Sequence, residues 1–421
     1  MFQKTTLANN LRIITVPMKN TKAVTVLVLV GAGSKCETKD VNGISHFLEH
    51  MFFKGTKKRP TFFKVNEVID RIGGAQNAFT GKDYTGYHVT FNSKHIDLCL
   101  DWISDMLLNS RFEEKEIEKE KGVIIEEINY IMDTPIIYIQ DLWEKLLYKD
   151  QPAGWLISGE KQNIIDMKKS DFLNYLNDYY SSKNTIVCVA GDINSKCVKE
   201  KIAQHFKSIN TSDPKQKQKV IEKQNEPDVF LNFKKTDQTH MALGVRTYNL
   251  FDDRKYVLAI LGKILGGMMS SRLFIEVREK HGLAYYVHTQ VELNPDTGYL
   301  VTFAGIDNKN IEKAIKIILK EYKKLCKEKV SNIELEKAKE NIKGKMILKL
   351  ESCSAQALFH AEQEMFKKEI LTPEQIFKKI DEITANDIIN TAQDIFAPEK
   401  LNLTLIGPFK NKEKFQKLLT M

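Results

Sequence analysis

Residues 85–91 read TGYHVTF and residues 297–303 read TGYLVTF, identical at six of seven positions and 212 residues apart. Further on, Val187-Cys-Val-Ala-Gly191 is echoed by Leu403-Thr-Leu-Ile-Gly407 at a spacing of 216. The two spacings differ by four residues, the size of one small insertion. All four runs are rich in β-branched and aromatic residues and read as strands. Their order within each half is the same, which is the signature of an internal duplication. The fold class expected is therefore α+β, built as two homologous α/β sandwich domains over residues 1–207 and 229–421. Between them, SINTSDPKQKQKVIEKQNEPD (208–228) is polar, carries two prolines and lacks apolar periodicity, as a linker does.

The pattern around these anchors is consistent. Leu11–Val16 and Ala23–Val30 read as strands. Gly43–Lys54 and Thr61–Ile72 read as helices, Asn77–Asn92 as an extended hairpin, and Ile96–Leu108 and Glu113–Met132 as further helices. Pro135 stands where the last of these should stop. In the second half, strands are expected over Asn232–Thr247, helices over Tyr256–Leu265 and Ser271–Lys280, then a strand pair, long helices and a closing strand at Leu401–Ile406. Gly266-Gly267 reads as a helix cap, because the spacing and Lys-Ser/Thr of a phosphate loop are missing.

Composition narrows the function classes. The 421 residues are 42% hydrophobic and 28% charged, which argues against wholesale disorder. No apolar run reaches the ~18–20 residues of a membrane span. Lys+Arg total 63 against 55 Asp+Glu, a net charge of +8, but the lysines are spread through helices and do not form a nucleic-acid-binding arm. The Lys-rich stretch from Ile311 to Met346 reads as solvated helix faces. Six scattered cysteines without a CxxC pair read as reduced thiols. The opening residues MFQKTTLANNLRIITVP show neither a secretory nor a transit signal. A cytoplasmic location is expected, or an organellar matrix if a presequence has been removed.

Residues 46–50 read His-Phe-Leu-Glu-His inside a helical pattern. His46 and His50 are i and i+4, so their rings share one face about a turn apart. Two imidazoles so placed can bind one zinc ion, and H-x-x-E-H is the inverted zincin motif. Glu49 stands beside them as a candidate general base. Phe47, Leu48, Met51, Phe52 and Phe53 around the cluster predict a partly buried setting. A hydrolytic zinc needs a third protein ligand. The helical run Glu120–Glu127 offers one, since Glu120 and Glu127 are two turns apart on a face that Val123 and Ile124 should carry inward. Glu127 is assigned as the ligand and Glu120 as its support. Glu126 is the rival, rotated by about 100°.

At this point GISHFLEHMFFKGTKKRP (43–60), GGAQNAFTGKDYTGYHVTF (73–91) and EKEKGVIIEEI (118–128) together resemble the zinc-site half of the pitrilysin-type metallopeptidases. The likeness is strongest to the mitochondrial processing peptidase β-subunit and its small bacterial relatives. It extends through SSRLFIEVREKHGLAYYV (270–287) and so over essentially the whole chain. In that family the third ligand is the second Glu of an E-x6-E pair, and here Glu127 lies 77 residues beyond His50. The resemblance implies one zinc ion per chain and cleavage of unfolded or extended peptides. It also implies domains made of a mostly antiparallel sheet covered by helices, two of them forming one half of a clamshell. A second chain, an identical copy or an inactive paralogue, would supply the other half. Asn77, Ala78 and Phe79 match the strand to which substrate adds, and Arg278 and Tyr285 match a pair that contacts substrate from the second half. At the duplication offset, His46, Glu49 and His50 fall on Leu258, Leu261 and Gly262, so the second domain should carry no metal site.

Overall fold

In the computed structural model, which describes residues 2–367 and 369–420, the strands sort into two sheets. The first holds β1 (Gln3–Thr6), β2 (Arg12–Pro17), β3 (Ala23–Val30), β4 (Ala75–Thr80), β5 (Thr85–Asn92) and β6 (Thr185–Gly191), in the order β1-β2-β6-β3-β5-β4. The second holds β7 (Asp228–Phe233), β8 (Gln238–Thr247), β9 (Ala284–Leu293), β10 (Gly298–Asp307) and β11 (Leu401–Gly407), in the order β7-β11-β8-β10-β9. Apart from β1, which the sequence pattern did not announce, the two orders are the same. Each sheet has one parallel pair, β2 with β6 and β7 with β11, and is otherwise antiparallel. The repeated TGY segments open β5 and β10, each one strand in from an edge, and the repeated closing strands are β6 and β11. The duplication read from the sequence is thus a duplication of sheet topology.

The compact units are not two consecutive stretches of chain. One comprises the chain through Asn129, Trp155–Gln218 and Leu348–Ile370; the other comprises Tyr130–Gly154, Lys219–Ile347 and the chain from Leu371 onward. A simple cut after residue 207 therefore misplaces two helices. The helix Pro135–Tyr148 belongs with the second sheet, where Ile139, Leu142, Trp143 and Leu147 pack against Ala242, Val301, Phe303 and Ile406. The helix Cys353–Phe366 belongs with the first, where Ala357 and Ala361, one turn apart, meet Ile14, Leu27, Leu29, Ile186 and Cys188. Both helices have an apolar face, but apolar periodicity does not say which sheet that face will cover. The stretch expected as linker carries no helix or strand before β7, although Ile209 is buried in the first core.

The helices that matter for the site cover the other face of the first sheet. They are α1 (Ile44–Phe52), α2 (Phe62–Asp70), α3 (Ile96–Asn109) and α4 (Glu114–Asp133); α5 (Pro135–Tyr148) follows, with its proline at the first turn. Val24, Val26, Val28, Tyr87 and Val89 from the sheet pack with Phe47, Leu48, Met51 and Phe52 of α1 and with Trp102 of α3. α1 enters through Gly43 at φ 102°, where a Cβ would come within 2.8 Å of the Ser158 carbonyl oxygen. Its first amides are met by a buried carboxylate. Glu37 accepts from Gly43 N at 2.8 Å, Ser45 N at 2.9 Å and Asn42 Nδ2 at 2.8 Å. A negative charge at a helix N-terminus satisfies orphan donors and opposes the helix dipole.

Elsewhere the expected elements hold with ends shifted by a residue or two, except that the strands expected from Asn232 begin at Asp228 and that Phe274–Lys280 winds with π-type turns. Among the described residues no helix is long and apolar enough to cross a membrane.

Candidate metal centre

Burial of Phe47, Leu48, Met51 and Phe52 against the sheet turns the opposite edge of α1 outward. His46 and His50 lie on that edge with ring centroids 4.7 Å apart and planes at 68°. Their side chains are 12% and 21% exposed, so both are reachable but mostly shielded.

α4 brings the carboxylates. Its buried stripe is Ile117, Glu120, Ile124 and Ile128. On a helix of 3.6 residues per turn, Glu127 is rotated about 60° from Ile124 and Val123 about 100° in the same sense. Glu127 therefore sits at the rim of the stripe, half-buried. Val123, expected to face inward, lies beyond the rim and is 47% exposed. Glu126 points away and accepts from Asn129 Nδ2 at 3.3 Å.

The ligand atoms of His46, His50 and Glu127 all lie within 4.8 Å of one another, and no other such cluster occurs among the described residues. His46 Nε2 is 3.5 Å from Glu127 Oε1, and His50 Nε2 is 3.5 Å from Glu127 Oε2. That exceeds the about 2.7–3.2 Å of a good N–H···O hydrogen bond. It matches the about 3.3–3.4 Å between donors that share one tetrahedral zinc at bonds of ~2.0–2.1 Å. The donor set also fits a divalent cation by charge. Glu49, Glu120 and Glu127 bring three carboxylates here, and among the described residues the one ammonium ion-paired with them is Lys54, on Glu120, which leaves two negative charges to be balanced.

The groups behind the donors orient them. His50 Nδ1 donates to Glu120 Oε1 at 2.9 Å, which leaves Nε2 as the lone-pair nitrogen facing Glu127. Lys54 Nζ lies 2.5 Å from the other Glu120 oxygen. Burial would raise the Glu120 carboxyl, but the bonds from His50 and Lys54 outweigh it and hold it below its ordinary value. Glu127 is lowered too, first by His46, against its partial burial. Burial would depress the His46 imidazole, yet Glu127, with Glu49 and Glu37 further off, raises it. His46 Nδ1 is buried without a hydrogen-bond partner, so His46 has no counterpart to the bond that Glu120 makes with His50. Glu120→Gln keeps an acceptor for His50 but loses the charge, and zinc affinity should fall about 10–100-fold. Competition with a chromophoric chelator measures this; an unchanged Kd would remove Glu120 from the site.

Two residues that the sequence reading left out belong here. Lys54 follows His50 by four residues, just past the C-terminal end of α1, and that spacing is the signal that could have found it. Thr80 closes β4, and its hydroxyl donates to Glu49 Oε2 at 2.5 Å. Only the hairpin's return to α1 reveals this bond.

β4 is the edge strand beside the site, and its register sorts the three residues assigned to substrate. Gly81 N bonds to Tyr84 O at the hairpin end, and Thr80, Phe79, Ala78 and Asn77 pair with Thr85, Gly86, Tyr87 and His88. Antiparallel alternation then points the main-chain groups of Phe79 and Asn77 at β5, and those of Thr80, Ala78 and Gln76 away from it. Of Asn77, Ala78 and Phe79, only Ala78 offers its peptide groups at the edge. Asn77 Oδ1 accepts from Ala78 N at 2.9 Å, and the Phe79 ring lies over Gly86.

In the second unit, Arg278 Nη1 donates to Tyr285 O at 2.8 Å. Its guanidinium sits 4.8 Å from the Phe274 ring and 5.5 Å from that of Tyr285, which is 79% exposed at the start of edge strand β9. Leu258 and Leu261 are buried in the helix Lys255–Gly266, with no ligating side chain at the positions corresponding to the first unit's motif.

Comparison with known proteins identifies the family. Residues 12–158 match the family described as Insulinase (Peptidase family M16), and residues 166–342 match the Peptidase M16 inactive domain. The Bacillus subtilis protein named uncharacterized zinc protease YmxG is 33% identical over 98% of this chain and 99% of its own. A Rickettsia felis protein named uncharacterized zinc protease is 33% identical over 97% of this chain and 98% of its own. Among solved structures, a protease from Helicobacter pylori superposes with a TM-score of 0.90 at 27% identity, covering 97% of this chain and 100% of that one. A peptidase M16 inactive domain from Pseudomonas fluorescens shares the fold at a TM-score of 0.90 and 16% identity, covering 98% and 99%.

Proposed function

This chain belongs to the insulinase-type peptidase family M16, and on that premise we propose that it is a zinc-dependent endopeptidase acting on unfolded or extended peptides. The observation that carries the reading is the convergence of His46, His50 and Glu127 from two helices at cation-sharing distances. These three side chains would hold one zinc ion per chain. When bound, zinc supplies a Lewis acid that polarises the scissile carbonyl and acidifies a water towards pKa ~7.

The remaining chemistry is the protein's. Glu49 takes the proton of the attacking water as its oxygen bonds to the carbonyl carbon. Glu49 then delivers that proton to the amide nitrogen as the C–N bond breaks. Glu120 keeps His50 turned so that Nε2 faces Glu127. Peptide adds to the outer edge of β4 as an extra strand, bonding to the main chain of Ala78 and its outward-facing neighbours, while Asn77 and Phe79 shape that edge from behind. Arg278 and Tyr285, already fastened to each other, are the proposed substrate contacts of the second half.

The test is cleavage of casein and of a quenched peptide by metal-free protein, before and after one equivalent of zinc, with the native mass measured on the same sample. Activity that appears with zinc supports the peptidase, and a mass of two chains supports the paired half-shell that the family resemblance implies. Zinc-loaded protein that binds extended peptide without releasing products would instead be a silent or peptide-binding subunit of the same fold.

A further inference from the structure

We propose that Thr80 is a positioning residue that holds Glu49 in its proton-accepting orientation and ties that orientation to the strand on which the peptide lies; the inference rests on Glu49 being the base. Two independent observations meet at this residue. Its hydroxyl donates to Glu49 Oε2 at 2.5 Å, a short charge-assisted bond between β4 and α1. Its peptide groups, by the register of β4 on β5, face outward along the same edge as those of Ala78. One residue thus touches the base with its side chain and faces the incoming strand with its backbone.

The arrangement matters because a glutamate has three side-chain torsions, and among the described residues Thr80 is the one hydrogen-bond partner of the Glu49 carboxylate. Glu49 is half-buried, and its helix neighbours Phe47 and Leu48 are committed to the core. A base must sit within hydrogen-bond reach of the proton it removes, and a misplacement of about 1 Å can cost ~10²-fold in rate. With the Thr80 hydroxyl on Oε2, the carboxylate is fixed in azimuth and Oε1 is left to work. Peptide pairing along β4 immobilises Thr80, so substrate addition and base alignment become one event.

The experiment compares Thr80→Val, which keeps shape and loses the donor, with Thr80→Ser, which keeps the donor. T80V should lose about tenfold or more in kcat, with KM, zinc content and thermal midpoint as in wild type. T80S should return to within about twofold of wild type. Crystal structures supply a readout independent of turnover: one Glu49 rotamer in wild type and T80S, several in T80V. A single unchanged Glu49 rotamer in T80V, a kcat within about twofold of wild type, or a T80S as slow as T80V overturns the proposal. A loss confined to KM or to zinc content also overturns it, because a merely structural bond would act that way. Glu49→Gln run alongside separates the two failures: a fully active E49Q defeats the base assignment itself, whereas an inactive E49Q with a normal T80V defeats only the role of Thr80.

Discussion

Replacing Glu49 by glutamine is expected to lower turnover by about 10²–10⁴-fold while zinc binding and fold stay as in wild type. The amide has nearly the same shape, and its oxygen can still accept the Thr80 hydroxyl that now bonds Glu49 Oε2. What it loses is the ability to take a proton. The expected drop corresponds to about 2.7–5.5 kcal/mol of transition-state stabilisation, within the range of one proton-transfer residue. Because Glu49 is not one of the three converging donors, zinc per chain should not change. Steady-state cleavage together with elemental analysis checks both halves of the expectation. Wild-type turnover in E49Q would mean that another group removes the proton.

Removal of a ligand should act differently. His46→Ala or Glu127→Ala takes one of the three donors away, and both activity and the metal should be lost together. Zinc should dissociate on dialysis, and at zinc concentrations about 100 times the wild-type Kd the stabilisation of about 2.7 kcal/mol expected of wild type should be absent. The metal-free variants should nonetheless melt close to metal-free wild type. Glu127 is half-buried at the rim of α4 and adds negative charge beside Glu120, so its removal opens no core cavity. Glu126→Ala is the contrasting variant. Glu126 faces away from the histidines, and its loss should leave zinc in place. Full occupancy in E127A, or loss of zinc in E126A, would reverse the ligand assignment.

The metal centre is legible in the sequence because a helix converts spacing directly into geometry. His46 and His50 at i and i+4, and Glu120 and Glu127 at two turns, need only 3.6 residues per turn to become pairs on a face. Val123 shows the limit of that rule. Face membership is set by where the buried stripe is centred, and that centre, near Ile124, depends on what packs against α4. The edge strand shows a second limit. NAFT is legible as a strand, but the side on which each peptide group points depends on pairing with β5. That pairing turns Asn77 and Phe79 inward and leaves Ala78 at the edge.

The duplicated α+β plan, the strand positions, the helix bearing two imidazoles and the carboxylates two turns apart can all be read from the chain's letters, because each is written in local periodicity or in repeated words. Which sheet α5 and the helix Cys353–Phe366 cover, the seating of the start of α1 on Glu37, and the reach of Thr80 to Glu49 emerge only once the chain is folded. Those outcomes depend on contacts between residues far apart in the chain, where packing and the satisfaction of buried polar groups choose among partners that the local pattern leaves equivalent.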